Sequence, residues 1–147
     1  MKTISKGAIG EAGEYFVACQ ATLRGWTANM MRHNHNGADI LLSKEQNGLK
    51  TRGLQVKTSL RKSSWRLSKK DEGPRHSFCP TFFYAFVYLN SEGRFNTEFI
   101  VPASFVAERI AAGHKAWVAA GGKDSDIRQL KASDIPEEYK EAWHLLE

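Results

Sequence analysis

Residues 36–59 read NGADILLSKEQNGLKTRGLQVKTS and predict a β-hairpin at the centre of the fold. A first apolar run, 38–42, is followed by a turn at Asn47-Gly48 and by a second run, 53–58. Two short runs on either side of a Gly-containing turn are typical of paired strands. We expect the rest of the chain to be organised around this hairpin.

Three polar side chains interrupt the apolar runs of the hairpin. Asp39 lies in the first run, and Gln55 and Lys57 alternate with aliphatic residues in the second. Because side chains along a strand repeat every two positions, Gln55 and Lys57 point to the same face. Lys and Asp are rarely placed among apolar neighbours without a partner, so an edge hairpin with surface polar residues is the weaker interpretation. We expect the three side chains to converge on one spot.

The oxygen atoms of this set suit a magnesium ion. Mg²⁺ binds oxygen ligands and keeps several waters, and phosphate oxygens can complete its octahedron. The carboxylate of Asp39, the amide of Gln55, the carbonyl of Val56 and a carboxylate from the first helix would supply the protein ligands. Lys57 would orient or activate a water, or neutralise the charge that develops on a phosphorane-like transition state.

The first helix is predicted over residues 6–24, with Ser5 as its N-cap and Gly25 as its stop. Apolar residues at three- and four-residue spacing predict one core stripe. The stripe consists of Ile9, Ala12, Phe16, Cys19 and Leu23. A second row consists of the smaller residues Gly10, Val17 and Ala21, together with Glu14.

Two glutamates on this helix are candidates for the helix carboxylate of the metal site. Glu14 lies within the row of small residues, and Glu11 lies between the two rows. A carboxylate among small and apolar side chains is costly to bury unless a cation meets it. The alternative is that both glutamates face solvent near the helix N-terminus, where the helix dipole favours acids.

The remaining sequence predicts a mixed α/β architecture. Residues 81–90 are apolar nearly throughout, which is typical of a central strand covered on both faces. The other predicted elements are strands at 26–31, 95–101 and 127–130, a helix from Ala103 or Ser104 that packs through Trp117, and a last helix from Pro136 with Tyr139, Trp143 and Leu146 on one face. The order helix, three strands, loop or helix, two strands, helix predicts one domain over 1–147, with a mixed central sheet and flanking helices.

The composition is typical of a cytoplasmic globular protein. The chain has 147 residues, 41% hydrophobic and 25% charged, which is ordinary for one soluble domain. Cys19 and Cys79 lack the neighbouring Cys or His of a zinc site, and their scarcity fits a reducing compartment. No apolar run is long enough to span a membrane, and the N-terminus lacks the apolar core of a signal peptide.

The net charge of +5 is concentrated in one segment of the chain. Residues 44–75 contain ten basic residues and three acids, so this segment carries +7 and the rest of the chain carries −2. A basic segment joined to a nearly neutral body favours a polyanionic partner, nucleic acid before membrane. The alternative is a solvated loop that keeps the protein soluble.

Residues 59–80, which follow the hairpin, are basic, Ser-rich and predicted to be irregular. A loop this long within a compact domain is usually functional or mobile. Basic residues interleaved with one aromatic suit phosphate contacts and a stacking contact, and the alternative is that Trp65 folds back onto the body. The predicted nucleic-acid-binding residues are Arg61, Lys62, Trp65, Arg66, Lys69 and Lys70.

The ordered motifs GEYFVACQATLRGW, NGADILL and GLQVKTS resemble the PD-(D/E)xK nuclease superfamily. The chain is most similar to small, single-domain, restriction-endonuclease-like members related to archaeal Holliday-junction resolvases. This resemblance implies a restriction-endonuclease-like core and hydrolysis of DNA phosphodiester bonds by a water activated by Mg²⁺, for which Mn²⁺ would substitute. The implied partner is duplex or branched DNA.

The resemblance also implies roles for individual residues. Asp39 matches the family's strand carboxylate, and Gln55 and Lys57 match its second signature, with Val56 between them. Glu14 stands about three helical turns before Gly25, as the family's helix carboxylate does, and is the implied metal ligand. Glu11 is the alternative, because its spacing from Lys6-Gly7 resembles the resolvase opening.

Gln55 departs from the commonest family pattern, which has Glu at this position. An amide is a weaker Mg²⁺ ligand than a carboxylate, and a nearby acid such as Glu11 would compensate. Two alternatives to an enzyme follow, a catalytically inactive nucleic-acid-binding module and a partner-dependent subunit of a defence or recombination complex. The aromatic residues Phe78, Phe82, Phe83 and Tyr84 would permit a homodimer interface.

Overall fold

Two long helices and seven strands organise the computed structural model, which describes residues 3–31, 37–73 and 80–147. In chain order they are α1 (Lys6–Thr22), β1 (Thr27–Met30), β2 (Ile40–Glu45), β3 (Leu49–Ser59), β4 (Ser64–Ser68), β5 (Phe82–Leu89), β6 (Phe95–Pro102), α2 (Ala103–Ala119) and β7 (Ile127–Lys131). No helix in these ranges is long and apolar enough to cross a membrane.

A five-stranded mixed sheet with the order β1-β2-β3-β5-β6 forms the centre of the molecule. Strands β3 and β5 are parallel, and the other neighbouring pairs are antiparallel. The predicted hairpin is confirmed as β2 and β3, joined through Asn47 and Gly48 with φ angles of 56° and 115°. Only small or flexible residues adopt this left-handed backbone easily, which explains the Asn-Gly pair.

Each face of the sheet carries its own hydrophobic core. On the α1 face, Leu54 and Val56 of β3 pack with Val17 of α1. On the α2 face, Tyr84 and Phe86 of β5 pack with α2, β4 and β7. Because β5 contributes buried residues to both cores, its prediction as a strand covered on both faces is confirmed.

Helix α1 begins as predicted, but the predicted core stripe is only partly right, because Phe16 packs against the α1-face core and two other members do not. Ser5 Oγ accepts a hydrogen bond from the Ala8 N–H at 3.2 Å, which confirms the N-cap. Cys19 is exposed and Leu23 is 75% exposed, so neither belongs to a core. The buried residues of α1 are Gly13, Val17 and Ala21. The row of small residues faces the sheet because the helix lies too close to β3 for large side chains.

Gly13 is the point of closest approach between α1 and β3. A Cβ atom added to Gly13 would lie 1.9 Å from Thr58 Oγ1, well inside van der Waals contact. Gly13→Ala is therefore expected to destabilise the protein by about 1–2 kcal/mol, because overpacking outweighs the better helix propensity of Ala. Chemical denaturation measures this change. Gly10→Ala, at a position with open space, is the matched control and is expected to be neutral or stabilising.

The clash at Gly13 has a specific remedy that tests its cause. Thr58→Ala removes Oγ1 and is expected to recover part of the stability that Gly13→Ala loses, although Thr58 Cβ would still lie 3.1 Å from the new methyl group. Additive losses in the double variant would show that Gly13 matters for a reason other than this contact.

The basic segment after the hairpin is more ordered than its sequence predicts. Strand β4 pairs antiparallel with β7, with Trp65 opposite Leu130. Trp65 and Leu67 point into the α2-face core, while Arg66 between them is exposed. The prediction of an irregular loop failed because the partner strand lies about sixty residues further along the chain and the β4 run is only five residues long.

The predicted last helix is wrong. Two 3₁₀ turns, Glu137–Tyr139 and Trp143–Leu146, replace it, and Glu141 between them has a positive φ of 46°. Tyr139 packs against Phe105 of α2, whereas Trp143 and Leu146 belong to the α1-face core. The break in the helix lets one short segment reach both cores.

The predicted homodimer patch is not an exposed aromatic surface. Phe83 and Tyr84 are 6% and 0% exposed and belong to the two cores, and Phe82 is half-buried. Phe78, Arg75 and Cys79, which also entered the sequence predictions, lie outside the described residues.

Candidate active site

The candidate site forms where β3 extends beyond the start of β2. The register places Ile40 opposite Leu54, so within the described residues β3 has no strand on this side past Leu54. Asp39 takes that place. Its N–H donates to the Leu54 carbonyl at 2.8 Å, and its carboxylate Oδ2 accepts the Val56 N–H at 2.7 Å. The carboxylate therefore contacts the backbone between Gln55 and Lys57.

Gln55 and Lys57 project from the α2 face of β3, as the alternation of strand side chains predicts. In the parallel pairing with β5, Gln55 lies beside Tyr84 and Lys57 beside Phe86. Gln55 and Lys57 are both half-buried. The structure thus brings Gln55, Lys57 and the carboxylate of Asp39 to one short stretch of β3.

Lys57 is paired with a buried acid that no sequence pattern selected. Lys57 Nζ lies 3.5 Å from Asp71 Oδ1, and the Lys57 side chain is 22% exposed. Asp71 lies in a 3₁₀ turn, Lys69–Glu72, that follows β4. Its Oδ2 accepts hydrogen bonds from the N–H and the hydroxyl of Ser68, at 2.8 and 3.2 Å. A carboxylate held in this way fixes the position of the ammonium that faces it.

Tyr84 completes the surroundings of Asp71. Its hydroxyl donates to Asp71 Oδ1 at 2.8 Å. Burial raises the pKa of Tyr84 far above its ordinary value, and the negative charges of Asp71 and Asp39 raise it further. Tyr84 therefore stays a neutral phenol that donates to Asp71.

Glu14 lies on α1, which packs against the other face of β3. It directly follows Gly13, the residue in contact with Thr58, and is half-buried. A side chain from α1 meets Gln55 and Lys57 only around the edge of β3 that β2 leaves uncovered. Gly13, the neighbour of Glu14, approaches Thr58, which lies in the part of β3 that extends past its pairing with β2.

Glu11, the alternative helix carboxylate, points away from the sheet. It is exposed and accepts a hydrogen bond from the Tyr15 hydroxyl at 2.9 Å. This hydrogen bond and the charge of Glu11 raise the pKa of Tyr15. The half-buried position of Glu14 beside β3 favours it over Glu11 as the helix carboxylate.

The chemistry of the donor set fits a hard cation. Within the described ranges, no group of three or more His, Cys, Asp and Glu residues is arranged to hold a metal ion. The expected set differs from such a group, since it combines two carboxylates with an amide and a backbone carbonyl. All four donors are oxygen atoms, which is the set that Mg²⁺ prefers.

Five of the six predicted nucleic-acid-binding residues are exposed, and Trp65 is the exception. The Trp65 side chain is 1% exposed, its Nε1–H donates to the Val87 carbonyl at 2.8 Å, and its ring packs 5.3 Å from that of Phe86. It cannot stack on a base from this position, so this prediction is wrong and the alternative that Trp65 folds onto the body is correct. The exposed basic residues are Arg61, Lys62, Arg66, Lys69 and Lys70.

The exposed tryptophan is one that the apolar pattern assigned to the core. Trp117, on the last turns of α2, is 60% exposed, whereas Trp26, Trp65 and Trp143 are 2%, 1% and 9% exposed. The apolar spacing along α2 does not reveal this, because the same helical face is buried only in the first half of the helix, as far as Ile110.

Comparison with known proteins finds solved structures with a similar fold. Neither a protein-family model nor a curated protein sequence matches the chain. Among solved structures, the bacterial homing endonuclease I-Ssp6803I aligns with a TM-score of 0.52 and 16% sequence identity, over 98% of this chain and 92% of that protein. The Hjc Holliday junction resolvase of the archaeon Archaeoglobus fulgidus aligns with a TM-score of 0.48 and 13% identity, over 85% of each chain.

The likeness to the homing endonuclease is a likeness of fold, since so few residues are identical. It extends over nearly the whole of both chains, and the mixed sheet with its two helices is the architecture that the sequence motifs predicted. The chain therefore has the restriction-endonuclease-like fold that the sequence resemblance implied.

Proposed function

We propose that the chain is a Mg²⁺-dependent DNA endonuclease that hydrolyses phosphodiester bonds with a metal-activated water. The observation that carries the proposal is the contact of the Asp39 carboxylate with the Val56 N–H, between Gln55 and Lys57. This contact brings the strand carboxylate to the Gln55-Val56-Lys57 motif. The fold that carries both is similar to that of a homing endonuclease.

Each residue of the site has a proposed role. The carboxylates of Glu14 and Asp39, the amide oxygen of Gln55 and the carbonyl of Val56 would hold the ion, and Mn²⁺ would substitute for Mg²⁺. A bound divalent ion supplies Lewis-acid stabilisation and a more acidic water. Lys57 orients the attacking water and balances the negative charge that develops on the phosphate.

The exposed basic residues after the hairpin hold the DNA backbone in this proposal. Among the ion pairs of the described residues, only one involves these side chains, and it joins Lys62 to Glu98 at 4.0 Å. Contacts of Lys and Arg with phosphates supply affinity without sequence specificity, and they weaken as salt rises. Duplex and branched DNA both fit such a surface.

A plasmid-cleavage assay tests the proposed function. We expect the wild type to nick or linearise supercoiled plasmid in Mg²⁺ or Mn²⁺ and not in EDTA, and we expect Lys57→Ala to bind the plasmid without cutting it. If the wild type and Lys57→Ala shift DNA equally in a gel and neither cuts it, the protein is a DNA-binding module and the proposal is wrong.

The neutral side chain of Gln55 is the specific observation that favours an inactive DNA-binding module as the second candidate. A carboxylate there would add a negative charge to the ligand set, and ligand charge tunes the affinity for the cation. We expect Gln55→Glu to lower the Mg²⁺ concentration for half-maximal cleavage by about tenfold. Titration of Mn²⁺ binding without DNA gives a second readout that does not need cleavage.

Gln46→Glu is the matched control for this variant. It makes the same substitution at an exposed position beside the hairpin turn, away from Asp39. If both variants change the metal requirement equally, a general charge effect explains the result and Gln55 is not a ligand.

A further inference from the structure

Trp117 lies in a surface groove beside α2, two turns beyond the buried Ile110 and on the same face of the helix. The groove has a volume of about 690 Å³ and runs between the second half of α2 and strand β7. Trp117 is 60% exposed, an unusual position for an indole, which is the largest apolar side chain available for burial. Large aromatic groups held at a surface commonly serve recognition.

The indole is held in place by the backbone that follows α2. The Gly122 N–H donates to the Trp117 carbonyl at 2.9 Å, and Gly121 turns the chain with a φ of 94°. A Cβ atom added to Gly122 would lie 2.2 Å from Trp117 Cε2, so the glycine packs directly against the indole. One side of the ring is therefore covered while more than half of the side chain stays open to solvent.

The groove around the indole is positively charged. Its lining carries four cationic side chains and one carboxylate, Asp134. Arg109 pairs with Asp134 at 3.1 Å, and Arg128 pairs with Glu72. Lys123 and Lys131, the other two cations, are exposed and form no ion pair with another described residue. Two cations close to an exposed indole are thus available to an anionic ligand.

The groove is continuous with the basic segment that follows the hairpin. Gln129 of β7, which lines the groove, pairs with Arg66 of β4, and both are exposed on the outer face of the two-stranded sheet. The Lys69 N–H donates to the Asp126 carbonyl at 2.8 Å, which places the 3₁₀ turn Lys69–Glu72 beside the start of β7. A bound polyanion could therefore run from this segment into the groove.

We propose that this groove binds a single-stranded segment of nucleic acid, with an unpaired base stacked on Trp117 and phosphates on Lys123, Lys131 and Arg66. The choice of nucleic acid as partner rests on the proposed function. Stacking on an indole requires a base whose face is free, which an unpaired nucleotide offers and an internal base pair does not. An indole that Gly122 already packs against loses little freedom on binding.

Intrinsic fluorescence provides the test, because the other three tryptophans are 9% exposed or less. We expect a dT12 oligonucleotide, titrated in EDTA so that no hydrolysis occurs, to quench Trp117 emission, with an apparent affinity that falls as salt rises. A 12-base-pair duplex should quench much less. Trp117→Ala should weaken binding of fluorescein-labelled dT12 by about tenfold, as measured by anisotropy. Lys123→Ala and Lys131→Ala should each weaken it and reduce the salt dependence.

Matched variants separate this surface from general effects on charge or folding. Lys115→Ala removes an exposed cation from α2 outside the groove lining and should leave dT12 binding unchanged. Trp117→Phe, which keeps a ring, should recover part of the affinity that Trp117→Ala loses. Gly122→Ala should displace the indole and weaken binding without removing any contact group.

Several outcomes would overturn the inference. One is dT12 binding, detected by anisotropy, that leaves the emission of Trp117 unchanged or survives Trp117→Ala. Another is emission that changes with protein concentration alone, which would assign the groove to a second copy of the chain. Because the assay needs no metal and no cleavage, a protein that fails to cut plasmid but binds dT12 through Trp117 refutes the proposed catalysis and supports this inference. Plasmid cleavage by the wild type, together with unchanged dT12 binding by Trp117→Ala, supports the proposed catalysis and refutes this inference.

Discussion

Replacing Asp39 with Asn is expected to lower the rate of plasmid cleavage by about a thousandfold and to leave DNA affinity within about twofold. The Asp39 carboxylate lies against the Val56 N–H, where the proposed ion binds, and the substitution removes one negative charge from that position. The ion would be bound less tightly, so fewer molecules would carry an activated water and the rate of cleavage would fall. In the proposed function the DNA affinity comes from exposed basic residues elsewhere, so we expect it to change little.

The Asp39→Asn variant is expected to fold as the wild type does. Its amide oxygen can still accept the hydrogen bond that the Val56 N–H donates, so we expect the same melting temperature. Asp126→Asn removes an exposed carboxylate outside the site and should cleave normally. Normal cleavage by Asp39→Asn would remove Asp39 from the ligand set. A parallel loss of cleavage and binding would make it a structural or DNA-contact residue instead.

Local sequence patterns predicted the parts of the candidate site that depend on neighbouring residues. The hairpin and the shared face of Gln55 and Lys57 follow from the strand period of two, and the Asn47-Gly48 turn follows from its backbone requirement. Asp39 was predictable because a carboxylate within an aliphatic run needs a partner. Its partner, the Val56 N–H, exists only because β3 continues past the start of β2, which no local pattern encodes.

The tryptophans show where a sequence pattern stops being informative. Trp65 is buried because β4 pairs with β7, and Trp117 is exposed because the burial of α2 ends at Ile110. Both outcomes depend on elements far away in the chain. The α1 stripe was only partly right for a related reason, since the distance between α1 and β3 is set at Gly13 and selects small residues over large ones.

Asp71 had no signal in the sequence that could have selected it. It stands beside Glu72 in a basic, Ser-rich segment, where acids ordinarily face solvent. Its burial follows from the pairing of β4, which turns the next residues back under β5. The sequence pattern therefore indicates the candidate catalytic cation and misses the carboxylate that holds it.

Asp71→Asn is expected to lower the cleavage rate at saturating DNA by about tenfold to a hundredfold, with little change in the DNA concentration for half-maximal rate. Asn keeps one acceptor oxygen for Ser68, and the Tyr84 hydroxyl can rotate to accept from the new NH2 group, but the charge that faces Lys57 Nζ is removed. The ammonium would then sample other positions and would orient the attacking water in fewer of them. We therefore expect Asp71 to act as a positioning residue, and single-turnover kinetics measure its effect on the chemical step.

Glu72→Gln is the matched control, because Glu72 lies in the same 3₁₀ turn but pairs with Arg128 and not with Lys57. Loss of either carboxylate should reduce stability, by about 1–3 kcal/mol for Asp71, whose buried donors lose a charged acceptor. Only Asp71→Asn should lower the rate per folded molecule. If both variants lose cleavage in proportion to their loss of folded protein, Asp71 serves stability alone. In that case Lys57 reaches its working position without the carboxylate beside it, and the pair seen here belongs to the fold and not to the chemistry.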